Sequence, residues 1–211
     1  MTQKVIIFDF DGTIADTQEA FINILNRLSP EFGYQPTTPV EVSQLRHLSS
    51  REIIKRSQIP LVKIPFLLRK AKVELGKEIA TISPITGMPE TLLELQNQGH
   101  YLGIVTSNVQ ENVVGFLGKN SCQEMFEFIY HGTSLFGKHK IINRVIRDRH
   151  LSPNNVFYVG DETRDVQAAQ KSGIKMIAVS WGFNSQEILA TYSPDFLINT
   201  PQELIPILGR L

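Results

Sequence analysis

Two aspartates near the start of the sequence have the spacing for nucleophilic and acid–base chemistry. Asp9 and Asp11 flank one aromatic residue directly after the apolar run Val5–Phe8, and Gly12 allows the backbone to turn tightly behind them. Two carboxylates this close raise each other's pKa unless a cation lies between them. A hard divalent cation such as Mg²⁺ prefers oxygen ligands of this kind. Asp-Gly also occurs in hairpin turns, but no second alternating strand follows Gly12 to complete a hairpin.

A second acidic pair follows another apolar run further along the chain. Asp161 and Asp165 come after the run 156–159. The neighbouring Glu162 is typical of a solvated helix N-terminus, where the helix dipole favours negative charge. For Asp161 and Asp165 we predict metal binding, because the first acidic pair lies at the end of a different strand.

Hydroxyl, amide and ammonium groups could complete a phosphate site around these acids. Thr106, Ser107 and Asn108 follow a third apolar run, and a hydroxyl there can donate to a phosphate oxygen at a helix N-terminus. A simple helix cap is the alternative role for such residues. Lys138 could supply a positive charge beside the acids, and Lys140 is the competing lysine for that role.

The elements that must position these residues alternate between strands and helices. Apolar runs of strand length lie at 5–8, 101–105, 126–130, 156–159, 176–179 and 196–198. Helical patterns separate the later runs, and Gly99 and Gly173 end two of the predicted helices. The alternation predicts an α/β fold, a Rossmann-like parallel sheet with helices on both faces. Ligands of such sheets bind at the carboxyl ends of the strands, where the candidate residues lie.

The stretch between the first two strand signals has a different pattern. From about residue 17 to residue 80 the sequence shows helical signals and no convincing strand. Thr38 and Ser49 open two predicted capping boxes, and Asp16 with Glu19 opens a third. A fourth helical stretch is predicted to be interrupted by Pro65.

We therefore predict an all-helical cap domain inserted after the first strand. The predicted boundaries are 16–83 for the cap domain and 1–15 with 84–211 for the α/β core domain.

Composition excludes several classes of protein. The 211 residues carry 21 basic and 21 acidic side chains, and this zero net charge argues against a nucleic acid polymer as partner. Cys122 is the single cysteine, so no internal disulfide can form. The apolar runs are too short to cross a membrane, and no secretory signal is visible. We expect a cytoplasmic protein, either a monomer or a homodimer.

The motifs occur in the order found in the haloacid dehalogenase-like superfamily, which this sequence resembles. The motifs are Asp9-Phe10-Asp11-Gly12-Thr13, Thr106, Lys138, and Gly160-Asp161 with Asp165. The helical insert is similar to the small cap domain of that superfamily. The segment 45–54 is similar to the cap of the phosphoglycolate phosphatase-like branch, although that branch often has proline after the lysine where this chain has His139.

The resemblance implies a phosphatase that acts on a small organic phosphate and uses Mg²⁺. Asp9 would attack phosphorus and form an aspartyl-phosphate, and Asp11 would protonate the leaving alcohol and then activate water. Mg²⁺ would be held by Asp9, Asp161 and the backbone carbonyl of Asp11. Asp165 would support the metal site or orient Lys138.

The resemblance also implies which residues contact the substrate. Phosphoryl oxygens would be held by Gly12, Thr106, Ser107, Asn108 and Lys138. His47 and Arg51 lie in the cap segment that is similar to substrate-facing loops of the family, so either could touch the substrate.

Four other functions remain open on the same scaffold. A dehalogenase needs no metal and generally lacks the second aspartate, so Asp11 argues against it. A phosphomutase would use the same aspartyl-phosphate. A phosphonate hydrolase would need a Schiff-base lysine in the cap, with candidates at Lys55, Lys63, Lys70 and Lys72. A non-catalytic binding protein would be favoured if a motif acid were replaced, and none is.

Overall fold

The computed structural model describes residues 3–132 and 136–209, so residues 1, 2, 133–135, 210 and 211 of the predicted core segments lie outside it. The strands are β1 (Val5–Phe8), β2 (Tyr101–Val105), β3 (Phe128–Tyr130), β4 (Val156–Gly160), β5 (Lys175–Val179) and β6 (Phe196–Ile198). They form one sheet in the order β3-β2-β1-β4-β5-β6, and every neighbouring pair is parallel. The predicted parallel sheet is confirmed.

The central strand explains why the sheet needs cover on both faces. All four residues of β1 are apolar and buried. Ile6 and Phe8 join the core on one face, and Val5 and Ile7 join the core on the other. Because successive side chains of a strand point to opposite faces, an unbroken apolar run fits a strand that is buried on both sides.

Helices cover both faces, as the alternating pattern predicts. They are α1 (Gln18–Phe32), α2 (Pro39–Leu45), α3 (Ser50–Arg56), α4 (Ile64–Glu78), α5 (Met88–Asn97), α6 (Gln110–Lys119), α7 (Lys138–Asp148), α8 (Thr163–Ser172), α9 (Gln186–Thr191) and α10 (Leu204–Gly209). Leu92 of α5 and Phe116 of α6 pack on the face of Ile6. Ile142 of α7 and Val166 of α8 pack on the opposite face.

Most predicted element ends agree with the structure, and β3 is the clearest exception. β3 begins at Phe128, two residues after the predicted start. The reason is that Phe126 closes a short 3-10 turn over Gln123–Met125, to which its N–H donates. Gly173 ends α8 at a φ of 64°, a left-handed conformation that favours glycine.

The segment between β1 and α5 contains helices and turns and no strand over its described residues. Thr38 and Ser49 form the two predicted capping boxes. The capping box predicted for Asp16 is wrong, because Thr17 precedes α1 without a side-chain cap and the Asp16 N–H donates to Ser83 instead. Pro65 does not interrupt the fourth helix, since it lies in the first turn of α4, where its missing N–H is not needed.

The two ends of this segment are bonded to each other at its base. Ala15 and Pro84 form an antiparallel bridge. The Ile85 N–H donates to the Ile14 carbonyl at 2.9 Å, and the Asp16 N–H donates to the Ser83 carbonyl at 3.0 Å. The helical segment therefore leaves and rejoins the sheet at one place. Its status as a separate domain with the boundaries 16–83 stays a prediction.

The helices that the structure describes include none with the length and apolar character needed to cross a membrane.

Candidate active site

The candidate residues meet at the carboxyl edge of the sheet because their strands are neighbours. Asp9 follows β1, Thr106 follows β2 and Asp161 follows β4, and β1 lies between the other two strands. The topology therefore brings together residues that are about 150 positions apart in the chain.

Asp9, Lys138 and Asp165 form a buried ion network. The Lys138 ammonium lies 2.7 Å from Asp9 Oδ2 and 2.5 Å from Asp165 Oδ1. All three residues have at most 2 % of their surface exposed. Burial opposes the charge on Lys138, but Asp165 and Asp9 outweigh it and raise the pKa of the ammonium above its usual range. Lys138 is therefore charged, and its position beside Asp9 offsets the cost of burying that carboxylate.

Asp161 is buried among other acids and is held by two protein donors. Its Oδ1 accepts from the Thr13 hydroxyl at 2.9 Å, and its Oδ2 accepts from the Phe183 N–H at 2.6 Å. Burial raises the pKa of Asp161 well above the usual value, and the charges of Glu162 and Asp165 raise it further. Without a cation, an ionised Asp161 is costly in this position.

Gly12 is required beside Asp161 for its conformation and its size. Its φ is 73°, and a Cβ at this position would lie 2.5 Å from Asp161 Oδ2. The Gly12 N–H donates to the Ala15 carbonyl at 2.9 Å. The structure therefore gives Gly12 a conformational role, and its contact with phosphate stays a prediction.

Asp11 faces the residues that follow β2. Asn108 Nδ2 lies 3.0 Å from both carboxylate oxygens of Asp11. Burial and the nearby charge of Asp9 raise the pKa of Asp11 to about 6. A carboxyl group with this pKa exchanges its proton near neutral pH, which is what a general acid and base requires.

The segment after β2 is tied together by its own polar groups. The Asn108 N–H donates to Thr106 Oγ1 at 3.0 Å, and Asn112 Nδ2 donates to Asn108 Oδ1 at 2.9 Å. Thr106 and Asn108 are fully buried, and Ser107 is nearly so. The three residues that were predicted to hold phosphate therefore form a rigid edge next to Asp11.

Three carboxylates at this edge fit a divalent cation. Asp9, Asp161 and Asp165 each offer one oxygen, and these oxygens lie within 4.8 Å of one another. Carboxylate oxygens are hard donors, and a cation would offset both the burial and the neighbouring negative charges that raise the pKa of Asp161. The Asp11 carboxylate is outside this group and contacts Asn108 instead.

The remaining predicted residues lie at different distances from the acids. Lys140 is exposed, so Lys138 is the lysine that contacts them. His47 Nδ1 contacts the hydroxyl of Ser185 at 2.9 Å and lies 3.6 Å from the Glu187 carboxylate. Arg51 stacks over Phe136 and lines a cavity of about 10 Å³ that Lys138 also lines, so it is near the edge of the site.

Several residues have contacts in the site that the sequence did not predict. Thr13 and Phe183 hold Asp161, and the signal for Thr13 was its place in the first acidic motif. Glu162 is partly buried between Ser50 and Arg164 rather than solvated. Lys72 reaches the site from α4, and its ammonium donates to the Ser107 carbonyl. No local pattern distinguishes Lys72 from the other lysines of the segment.

The parallel sheet and the buried acids at its carboxyl edge define an α/β protein with a carboxylate-based site. Comparison with known proteins identifies the family. The family model for haloacid dehalogenase-like hydrolases matches residues 6–179. The chain belongs to this family and is a phosphatase enzyme.

Individual relatives cover essentially the whole chain. The phosphoglycolate phosphatase of Synechococcus elongatus is 34% identical over 208 residues, which are 99% of this chain and 98% of that protein. Pyrophosphatase PpaX of Bacillus mycoides is 25% identical and covers 100% of this chain and 99% of its own length. A haloacid dehalogenase-like family hydrolase from Streptococcus pneumoniae has the same fold, with a TM-score of 0.79 at 22% identity over 97% of this chain and 98% of that one.

Proposed function

We propose that this phosphatase is Mg²⁺-dependent and hydrolyses a small phosphomonoester through an aspartyl-phosphate on Asp9, with 2-phosphoglycolate as the preferred substrate. The observation that carries the proposal is the contact of Asp9 with the Lys138 ammonium at 2.7 Å, next to an Asp11 whose pKa is about 6. This pairing supplies a nucleophile beside a positive charge and an acid that can give up a proton. The substrate follows the relative from Synechococcus elongatus.

The first step uses Asp9 and Asp11 in separate roles. An Asp9 carboxylate oxygen forms a bond to phosphorus while the bond from phosphorus to the leaving oxygen breaks. Asp11 gives its proton to that oxygen, so the alcohol leaves neutral. In the second step water attacks phosphorus, the bond to Asp9 breaks, and Asp11 takes the proton from the water.

Other side chains hold the phosphoryl group and the ion. Thr106, Ser107 and Asn108 surround the phosphoryl oxygens, and Lys138 balances their charge. Asp9, Asp161 and Asp165 hold Mg²⁺, with the backbone carbonyl of Asp11. When bound, Mg²⁺ offsets the repulsion between the Asp9 carboxylate and the phosphate dianion.

We expect the enzyme to be cytoplasmic, to act as a monomer or homodimer, and to have neither nucleic acid nor membrane as a partner. His47 and Arg51 belong to the segment that closes over the leaving group.

Phosphate release from a panel of substrates tests this proposal. The panel contains 2-phosphoglycolate, sugar phosphates, nucleotides and pyrophosphate, each with Mg²⁺ and with EDTA. We expect release that depends on Mg²⁺ and is fastest with 2-phosphoglycolate. Asp161→Asn is expected to lower kcat/KM by roughly 10²–10³-fold, whereas the exposed Asp148→Asn leaves it unchanged. A folded protein that releases no phosphate from any substrate would refute the proposal.

A second candidate, a phosphonate hydrolase, is favoured by one observation. Lys72 reaches the site from the helical segment, and burial lowers the pKa of its ammonium. A lysine of this kind can form an imine with an aldehyde. Borohydride trapping of Lys72 in the presence of an aldehyde-bearing phosphonate distinguishes this candidate, and we expect no trapped adduct.

A further inference from the structure

Lys72 is a cation of the helical segment that enters the site. It lies on α4 and is half-buried. Its ammonium donates to the carbonyl of Ser107, in the middle of the segment that faces the phosphoryl group. An ammonium has three donors, so one bond to a carbonyl leaves donors for a ligand.

The packing of α4 on α6 determines the position of Lys72. A Cβ at Gly76 would lie 2.5 Å from Asn112 Oδ1, so the two helices approach this closely only with glycine there. Asn112 Nδ2 donates to the Lys72 carbonyl at 2.8 Å. One turn before the contact at Gly76, Lys72 is therefore anchored through its backbone as well as its side chain.

The same asparagine links Lys72 to the proposed general acid. Asn112 also donates to Asn108, and Asn108 donates to Asp11. Ser107, whose carbonyl accepts from Lys72, directly precedes Asn108, whose amide donates to Asp11. This contact through adjacent residues places Lys72 on the side of the acid that protonates the leaving oxygen, which is the side of the leaving group.

We propose that Lys72 binds a second negative charge on the leaving group of the substrate. This inference rests on the proposed function and deepens it, because it defines the substrate class as compact phosphate esters whose leaving group carries its own anion. The half-buried position makes the interaction stronger than it is in water. In the same position, the ammonium has no negative charge of the substrate to bind when the leaving group is neutral. This difference makes the enzyme select charged leaving groups over neutral ones.

A carboxylate and a second phosphoryl group share the chemistry that Lys72 would recognise. Both present oxygen atoms with negative charge to an ammonium that binds as a point charge. The carboxylate and the second phosphoryl group differ in their distance from the ester oxygen. One experiment that includes a substrate of each kind therefore shows which of the two Lys72 binds.

The test compares charged and neutral leaving groups in the full-length enzyme. Steady-state kinetics are measured for wild type, Lys72→Met and Lys72→Arg with 2-phosphoglycolate, with pyrophosphate and with 2-hydroxyethyl phosphate, which has an alcohol in place of the carboxylate. We expect Lys72→Met to lower kcat/KM for 2-phosphoglycolate about 30-fold, the lower end of the loss for removing one partner of a buried charge pair, because Lys72 is only half-buried. The loss with 2-hydroxyethyl phosphate is expected to be below about 3-fold, and Lys72→Arg should recover part of the activity because it keeps the charge.

Lys77→Met is the matched control. Lys77 lies on the same helix, is exposed and pairs with Glu74 at 2.6 Å, so its loss should change neither rate. Continued turnover of the neutral ester shows that Lys72→Met is folded.

The outcomes separate this inference from the proposed function. A selective loss with 2-phosphoglycolate or with pyrophosphate supports the inference and identifies the second anion. Equal losses on charged and neutral esters, or no loss on any ester, would overturn it while the phosphatase stands. An imine trapped on Lys72 would overturn it in favour of the phosphonate hydrolase. A wild-type enzyme without turnover of any ester would overturn both.

Discussion

The carboxyl edge of the sheet and the helical segment after β1 differ in how deeply their side chains are buried and in how many contacts hold them. At the edge, Asp9, Asp161 and Asp165 are buried and bonded to neighbouring groups. In the segment, α2 and α3 contain no buried residue. Large apolar side chains are exposed there at Val40, Leu61, Val62, Phe66 and Val73.

This difference separates two tasks. Under the proposed function, the edge holds the groups that act on phosphorus, and these must keep their geometry to within a fraction of an ångström. The segment contributes Lys72, which donates to Ser107, and Arg51, which lines a cavity beside Lys138, and we propose that both face the part of the substrate that varies. We therefore expect substitutions at the edge to affect every substrate and substitutions in the segment to affect some substrates more than others.

The largest effect is expected from Asp9→Asn at the edge. The amide is a poor nucleophile, so kcat should fall by roughly 10⁴-fold or more on every substrate. Lys138 keeps its contact with Asp165, so the fold should remain intact. Phosphate release and circular dichroism measure the two effects. The exposed Asp16→Asn is the control, and near-normal activity of a folded Asp9→Asn enzyme would show that the nucleophile is elsewhere.

Lys138→Met should have the next largest effect, and the quantity it changes is the free energy of unfolding. It leaves Asp9 and Asp165 buried without their shared cation, which costs about 3–5 kcal/mol for a buried pair. Urea unfolding measures this loss. Lys140→Met removes an equal charge from the exposed side of α7 and should change stability by less than about 0.5 kcal/mol. Similar losses for the two variants would contradict the assignment of Lys138.

The smallest effect tests the contact between the two regions. Alanine usually stabilises a helix interior by about 1 kcal/mol relative to glycine. At Gly76 the new Cβ would meet Asn112, so Gly76→Ala should instead lower the free energy of unfolding by about 1–2 kcal/mol. In the same experiment Gly115→Ala should raise it, since its Cβ would lie 3.7 Å from Ile79 in ordinary contact. A stabilised Gly76→Ala protein would mean that α4 and α6 are further apart than described.

The sequence predicted the edge better than the segment, for a physical reason. Asp9 follows an apolar run that the local sequence identifies as a strand. Thr106 and Asp161 also follow strands, and the order of these strands in the sheet brings all three residues to the same edge. Thr38 and Ser49 were also predictable, because a capping box is a contact between residues three positions apart.

The contacts that were not predicted depend on tertiary packing. Lys72 reaches Ser107 across 35 positions only because Gly76 lets two helices approach. Asp16 does not form its predicted capping box, because its N–H donates to the carbonyl of Ser83, which is distant in sequence. Local sequence patterns contain no information about either of these long-range contacts.

The bonds at the base of the helical segment have a consequence for how the chain can change. Ala15 forms a bridge with Pro84, and this bridge holds together the two points where the segment starts and ends. Doubling the length of a closed loop adds only about 0.6 kcal/mol of entropic cost. An insertion in an exposed turn of the segment should therefore leave the register of β1 unchanged. Replacement of α1 or α4 would not be neutral, because Ile24 and Leu75 share one core with Phe8 of β1.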